Sequence, residues 1–329
     1  MPSEVIRYVD PNSSGGDGTT NELSGVNAAY ASLGTALTTE QKDLTASDEI
    51  YRFICSSNQD LGGGSPDTAV ARVNTNWVTD ATRYVSIEAA SSHGGKWNDN
   101  IYRMVSSVSG TEFAVLIVYT DYCYITGIQI KINYAGTAQL HGVDFDTGTE
   151  LYLDKLILMA TAASTEFSYG IYGRSTAGTM RVTNSIIYDF DSVSPESFGI
   201  RAEVGGCTYY NLTFDNCVYA FVQTGSASNA YNVGMVNCTS SDAGNVNYTT
   251  SSTTTPTFVD YANDDFHLDA SDTTWRGQGT DESGVFTDDI DGETRSGSWD
   301  IGADQYVAGG AEHILTGKIL LEVRTDGTT

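Results

Sequence analysis

Apolar residues in the middle of the chain fall in runs of strand length, separated by clusters of Gly, Ser, Thr and Asn. One run recurs as Ile125-Thr-Gly-Ile128-Gln-Ile130, Leu153-Asp-Lys-Leu156-Ile-Leu158, Val182-Thr-Asn-Ser185-Ile-Ile187, Tyr210-Asn-Leu212-Thr-Phe214 and Asn232-Val-Gly-Met235-Val. Taking Ile128, Leu156, Ser185, Leu212 and Met235 as equivalent gives steps of 28, 29, 27 and 23 residues. A second landmark runs in phase with it: Gly142-Val-Asp-Phe, Gly170-Ile-Tyr-Gly, Gly199-Ile-Arg-Ala and Ala220-Phe-Val-Gln, with steps of 28, 29 and 21. Several short strands per repeat, with no helical stretch between them, predict a coil that returns to stack on itself at strand spacing. Extended back through Glu49–Cys55, Tyr84–Glu88 and Ala114–Tyr119, the pattern predicts roughly eight coils over residues 49–252, a stack on the order of 40 Å long.

The flanks read differently. Residues 26–46 hold the one stretch with apolar positions at helical spacing, with Asn27 or Ser24 available as its cap; a short helix there would cover the open end of the first coil. After a Thr- and Ser-rich bridge ending at Pro256, residues 257–306 are rich in Asp and Gly and carry Trp275 and Trp299, which reads as a closing cap. From Val307 an Ala-Gly-Gly hinge leads into an apolar stretch, His313–Val323, of the kind that docks as an edge strand. The expected organisation is therefore entry and cap over 1–48, coils over 49–252, a closing segment over 253–306 and a docking tail over 307–329.

Composition agrees with an all-β body: 34 Gly, 20 Tyr and only five Lys. Forty-two acidic against 16 basic residues, a net charge of −26, argue against nucleic acid and anionic membrane surfaces as partners. The five cysteines form no C-x-x-C pair and are expected as small buried residues in strands. The first residues show no secretory signal, which fits a virion protein released by lysis or an extracellular protein whose signal has been removed.

Both ends carry residues that resemble the right-handed parallel β-helix family related to pectate lyases. At the entry these are Tyr8-Val-Asp-Pro11, Gly15-Gly-Asp-Gly18 and Tyr30-Ala-Ser-Leu33. At the close they are Pro256-Thr-Phe-Val-Asp260, Asp265-Phe-His-Leu268, Asp289-Ile-Asp-Gly292, Arg295 and Asp300-Ile-Gly-Ala303, similar to the closing segment of many bacterial and phage β-helix proteins. The resemblance implies an all-β, single-stranded right-handed solenoid with an N-terminal capping helix and an irregular C-terminal cap. It also admits a homotrimer. The family's catalytic patterns are absent: there is no Arg-x-Pro-x-x-Arg, and no Asn-x-Asp, Asp-Asp and Gly-His-Gly set, since Asp288-Asp289 lacks its partners.

Alternation along the strands places Val143, Ile171, Ile200 and Phe221 inward, with Asp144, Tyr172, Arg201 and Val222 as an outward row and Asp146, Arg174 and Glu203 as a second one. Two readings stay open. In one, Tyr172, Arg174 and Arg201 hold a glycan while Asp144, Asp146 or Glu203 serve as the acid and base of a polysaccharide hydrolase or lyase. In the other, the rows are cross-coil ion pairs on a solvated face. No cofactor is expected. A structural calcium would need a full loop, and placing Asp291 at position five of an EF-hand puts Ser298 where the bidentate Glu belongs. The expected function is a non-enzymatic virion or extracellular appendage with partners at its tail and polysaccharide on its flank, with a polysaccharide-degrading enzyme as the alternative.

Overall fold

The structure is a computed structural model and describes residues 1–57, 64–106, 114–133, 139–161, 167–191 and 197–308. Among these described residues nineteen strands form one sheet in which every pairing is parallel, and consecutive turns of the chain stack on one another as a parallel β-helix. Three ladders make its faces. Face A runs from Ser3–Val9 through Glu49–Cys55, Val85–Ala89, Tyr122–Thr126 and Gly148–Asp154, and on through the first halves of Ala177–Tyr188 and Thr208–Asp215. Face B joins Arg103–Ser106, Gln129–Ile132, Ile157–Ala160, the second halves of those same two long strands, Val233–Val236 and Ser251–Ser252. Face C joins Ala71–Val73, Ala114–Val118, Leu140–Phe145, Ser168–Gly173, Phe198–Ala202 and the start of Tyr219–Tyr231. The inward side chains of all three meet in one core containing Phe53, Ile87, Ile130, Leu158, Val143, Ile171 and Phe214.

A chain that must turn sharply between two strands needs a residue tolerant of left-handed backbone, and Asn is the best non-glycine choice. The corner from face A to face B uses Gly127, Lys155, Asn184, Asn211 and Asn232, all with φ between 46° and 69°. The three asparagines are fully buried and linked: Asn184 Nδ2 donates to Asp154 Oδ1 at 3.1 Å, Asn211 Nδ2 to Asn184 Oδ1 at 3.2 Å, and Asn232 Nδ2 to Asn211 Oδ1 at 2.9 Å. This ladder corrects one step of the expected repeat. Met235 lies opposite Phe214, and the residue following Asn232 is Val233, so Val233 rather than Met235 is equivalent to Leu212 and the last step is 21 residues. Of the runs used to extend the repeat backward, Glu49–Cys55 and Tyr84–Glu88 (strand Val85–Ala89) lie on face A, but Ala114–Tyr119 (strand Ala114–Val118) lies on face C.

The expected entry boundary also moves. Ser3–Val9 pairs in register with Glu49–Cys55, so the stack starts at Ser3 and not at residue 49. The capping helix is present as α1 (Leu33–Thr39) followed by α2 (Leu44–Ser47), capped by Ser32 and Asp43 rather than Asn27 or Ser24. Leu33, Ala36, Leu37 and Leu44 are fully buried in the main core, and Trp77 Nε1 donates to the Leu37 carbonyl. No helix among the described residues is long and apolar enough to cross a membrane. Cys55 and Cys123 are buried free thiols in strands, as expected, whereas Cys207 and Cys217 are buried free thiols just outside strands and Cys238 is half-buried between strands.

The closing segment does more than close an end. Phe258, Phe266, Leu268, Trp275, Ile290 and Ile301 pack onto the outward side chains of face B, Ile157, Met159, Ile186, Tyr188 and Val236, as a second hydrophobic cluster. Residues with the familiar closing pattern turn out to be turn-holders: the Asp289 carboxylate accepts the amides of Asp291, Glu293 and Gln305, and the buried Arg295 guanidinium donates to the carbonyls of Gly302 and Ala303. The tail proposed as a docking strand, His313–Val323, lies outside the described residues.

Candidate functional site

Face C carries the two outward rows in the register expected from the sequence. Asp144 lies opposite Tyr172, Tyr172 opposite Arg201 and Arg201 opposite Val222, while Val143, Ile171, Ile200 and Phe221 are buried in the core. Asp146, Arg174 and Glu203 follow Phe145, Gly173 and Ala202, each donating its amide to the coil before.

Simple alternation fails two residues earlier. A Cβ at Gly142 would meet Leu158 Cδ2 at 2.9 Å, one at Gly170 would meet Ile187 Cγ2 at 3.1 Å, and one at Gly199 would meet Phe214 Cε1 at 2.6 Å, all core atoms. Gly142 and Val143 therefore both face inward, and the same holds for the next two coils. The bend turns His141, Tyr169, Phe198 and Tyr219 to the outside as an aromatic row, with centroid separations of 4.7, 5.3 and 5.3 Å between successive rings. Sequence reasoning missed this row by assuming unbroken alternation. The available signal was the recurrent glycine itself, since a strand glycine in phase marks a bend or a close backbone approach.

The two arginines draw all three candidate carboxylates into ion pairs. Arg174 grips Asp144 through both oxygens, Nε to Oδ1 at 2.9 Å and a terminal nitrogen to Oδ2 at 2.7 Å, and its Nε also lies 2.9 Å from Asp146 Oδ2. Arg201 reaches Glu203 Oε1 at 2.8 Å, and its guanidinium carbon lies 5.4 Å from the Tyr169 centroid and 5.7 Å from that of Tyr172. His141 Nδ1 stands 2.9 Å from Asp144 Oδ2. Burial pushes the Asp144 carboxyl up, but the His141 and Arg174 hydrogen bonds outweigh it and leave its pKa below the usual value. Burial lowers the His141 pKa, so the neutral ring donates from Nδ1 and leaves Nε2 as a buried acceptor without a partner. Burial and the neighbouring Glu203 push the Tyr172 hydroxyl up to about 12.

Chemically, this arrangement suits binding better than proton transfer. A general acid must hold a proton at its working pH, and a base must present a free lone pair to its substrate. Asp144 is 1% exposed, its pKa is depressed and both its oxygens are engaged. Tyr172, Arg174, Arg201 and Glu203, by contrast, are all partly exposed and offer an aromatic edge beside guanidinium and carboxylate groups.

A second polar cluster lies in the closing segment. Ligand atoms of His267, Asp291 and Asp304 fall within 4.8 Å of one another. His267 already bridges two carboxylates, Nδ1 to Asp265 Oδ1 at 2.5 Å and Nε2 to Asp291 Oδ2 at 3.0 Å. Burial opposes its charge, but these partners raise its pKa to about 11, so a metal ion would have to displace a firmly held proton. Asp289-Ile-Asp-Gly292 forms a hydrogen-bonded turn.

No protein-family profile matches the chain, and no curated protein matches it. Among solved structures it is similar to the crystal structure of pectate lyase Pel9A, with a TM-score of 0.37 and 13% identity over 93% of this chain and 97% of that one. The parallel β-helix assignment stands on the strand ladders described above.

Proposed function

We propose that the chain is a non-catalytic β-helix appendage on the outside of a virion or cell, whose face C holds a glycan and whose C-terminal tail docks onto other surface proteins. The observation that carries this reading is the double grip of Arg174 on Asp144 and Asp146, together with the Arg201–Glu203 pair. These pairs engage the carboxylates a glycosidase would need as acid and base. The same pairs fix two guanidinium groups beside Tyr172, a combination of planar donors and an aromatic ring that recognises sugar hydroxyls. Location and docking partner are supported by the sequence alone, through the acidic composition and the apolar stretch after the Gly-Gly hinge.

A panel of neutral and acidic polysaccharides tests the reading. Reducing-end release and the ultraviolet absorbance of unsaturated uronates are expected to stay at background for every member. At least one polysaccharide should retard the protein in affinity electrophoresis, with retention about tenfold weaker for Arg201→Ala, corresponding to ~1.4 kcal/mol. Turnover that disappears in Asp144→Ala or Glu203→Gln would replace this function with a polysaccharide-degrading one.

A further inference from the structure

Two corners leading off face B repeat each other at the end of the stack. Asn216-Cys217-Val218 joins Thr208–Asp215 to Tyr219–Tyr231, and Asn237-Cys238-Thr239 joins Val233–Val236 to Ser240–Tyr248. Asn216 and Asn237 both take left-handed backbone, with φ of 49° and 51°. The flanking strands fix the alignment: Asp215 lies opposite Val236 and Tyr219 opposite Ser240, so Cys217 lies opposite Cys238. The Thr239 amide donates to the Cys217 carbonyl at 3.0 Å, which holds the pairing through the corner itself.

The two side chains point the same way. Cys217 Sγ lies 3.4 Å from the Asp215 carbonyl oxygen and Cys238 Sγ 3.4 Å from that of Val236, two residues back in each case. Equivalent positions one coil apart are separated by about 4.8 Å, inside the range of about 4.4–6.8 Å between Cα atoms that a disulfide bridges. Among the described residues no other cysteine has such a neighbour: Cys55 lies opposite Val9 and Ala89, Cys123 opposite Val85 and Leu151, and Cys207 beside Ser228. Hydrogen bonding from the Cys217 thiol holds Cys238 below the ordinary thiol value, whereas burial pushes Cys217 up. Cys238 is also the half-buried member of the pair, so it is the thiolate that an external reagent meets first. The coil it belongs to is the last: Ser240–Tyr248 pairs with Tyr219–Tyr231 on one side, and among the described residues no strand pairs with its other side. A coil held on one side opens more readily than one held on both.

We infer that Cys217 and Cys238 form a cross-coil disulfide when the chain meets an oxidised low-molecular-weight disulfide, and that this bond staples the last coil to the stack. The Cys238 thiolate attacks the external disulfide, forming a mixed disulfide and expelling one thiolate. Cys217 then gives up its proton and attacks the Cys238 sulfur, expelling the second. The protons of the protein thiols end on the two released thiols, so one external disulfide is reduced as the protein pair is oxidised. The pair lies outside the face C rows and is independent of the function proposed above.

The full chain, purified reduced, is equilibrated with oxidised glutathione, alkylated and analysed by intact and peptide mass spectrometry. The expected product is two hydrogens lighter, with one cross-link joining the Cys217 and Cys238 peptides and the other three cysteines alkylated after unfolding. Its melting temperature should rise by at least about 3 °C and fall back on reduction. Amides of residues 240–248 should exchange about tenfold more slowly than in the reduced chain. Cys238→Ser should lose the cross-link and both gains, while Cys123→Ala should keep the cross-link. A stable glutathione adduct on Cys238, a free Cys238 thiol after equilibration, a cross-link through any other cysteine, or a cross-link that leaves melting and exchange unchanged would each overturn the assignment.

Discussion

Faces B and C share one core, yet their outer sides are finished in opposite ways. Face B turns Ile157, Met159, Ile186, Tyr188 and Val236 outward, and some fifty residues of irregular chain are spent covering them. Face C turns His141, Asp144, Tyr172, Arg174, Arg201 and Glu203 outward and satisfies most of their polarity within the row. An apolar stripe on a parallel sheet must find another layer, because these sheets are stable only when their apolar faces are covered. A stripe of matched charge and aromatic rings can stay partly open, which leaves it available to a partner. The difference teaches that the closing segment is a side wall of the solenoid, whereas face C pairs its outward charges within its own rows.

The largest effect is expected from uncovering face B. Trp275 is 1% exposed, lies directly over Gly234 and donates Nε1 to the Thr254 carbonyl at 2.8 Å. Trp275→Ala should cost about 3–5 kcal/mol in denaturant unfolding and expose the face B stripe to a hydrophobic dye. A loss under ~1 kcal/mol would mean the segment is decorative. On face C, Arg174→Met strands the buried Asp144 charge, and the cost should be about 1–3 kcal/mol since Arg174 itself is one-third exposed. Adding Asp144→Leu should recover most of it, and failure to recover would locate the effect in packing instead. Gly170→Ala probes the bend that makes the aromatic row: its Cβ would meet the Gly199 carbonyl oxygen at 2.5 Å, so about 1–3 kcal/mol should be lost.

The smallest effect to resolve is the response to pH, which also separates the two faces. Burial raises Asp304 to about 7 and Asp289 to about 6 in the closing segment. Between an unfolded value near 4 and these values the folded chain holds the extra protons, so their contribution falls as pH rises through this window. His267, raised to about 11, contributes fully below about 6.5 and loses its contribution as pH climbs toward 11. Asp144 behaves oppositely: its depressed pKa gives stability that is present above the ordinary carboxylate value and lost in stronger acid. Hydrogen exchange followed from pH 5 to pH 9 should therefore show the amides of 257–306 losing protection, corrected for intrinsic rates, while those of 140–145 and 168–173 stay level. Parallel behaviour of both regions would refute the separation.

Much of this was legible in the residues. The in-phase Gly142, Gly170 and Gly199 placed the strands of face C in register, because a period repeated at two landmarks leaves little freedom for slippage. The candidate rows followed from that register. What escaped were features that alternation cannot express. The aromatic row depends on two consecutive inward residues, visible only once the core atoms facing Gly170 are known. The Asn184–Asn211–Asn232 ladder was hidden inside the repeat, and its 21-residue last step was blurred by aligning on Met235. The placement of 257–306 along face B could not be read locally, since Trp275 meets Gly234 through a tertiary contact rather than through sequence spacing.

The central claim is that Asp144 is locked in its pairs with Arg174 and His141 and is not poised for proton transfer. The carboxyl carbon of Asp144, followed by carbon-13 NMR against pH in the intact protein, reports this directly. The account predicts a carboxylate that stays ionised from pH 8 down past pH 4, with its midpoint below the ordinary value of about 3.9. A midpoint at pH 5 or above would describe a carboxyl prepared to donate a proton, and would contradict it.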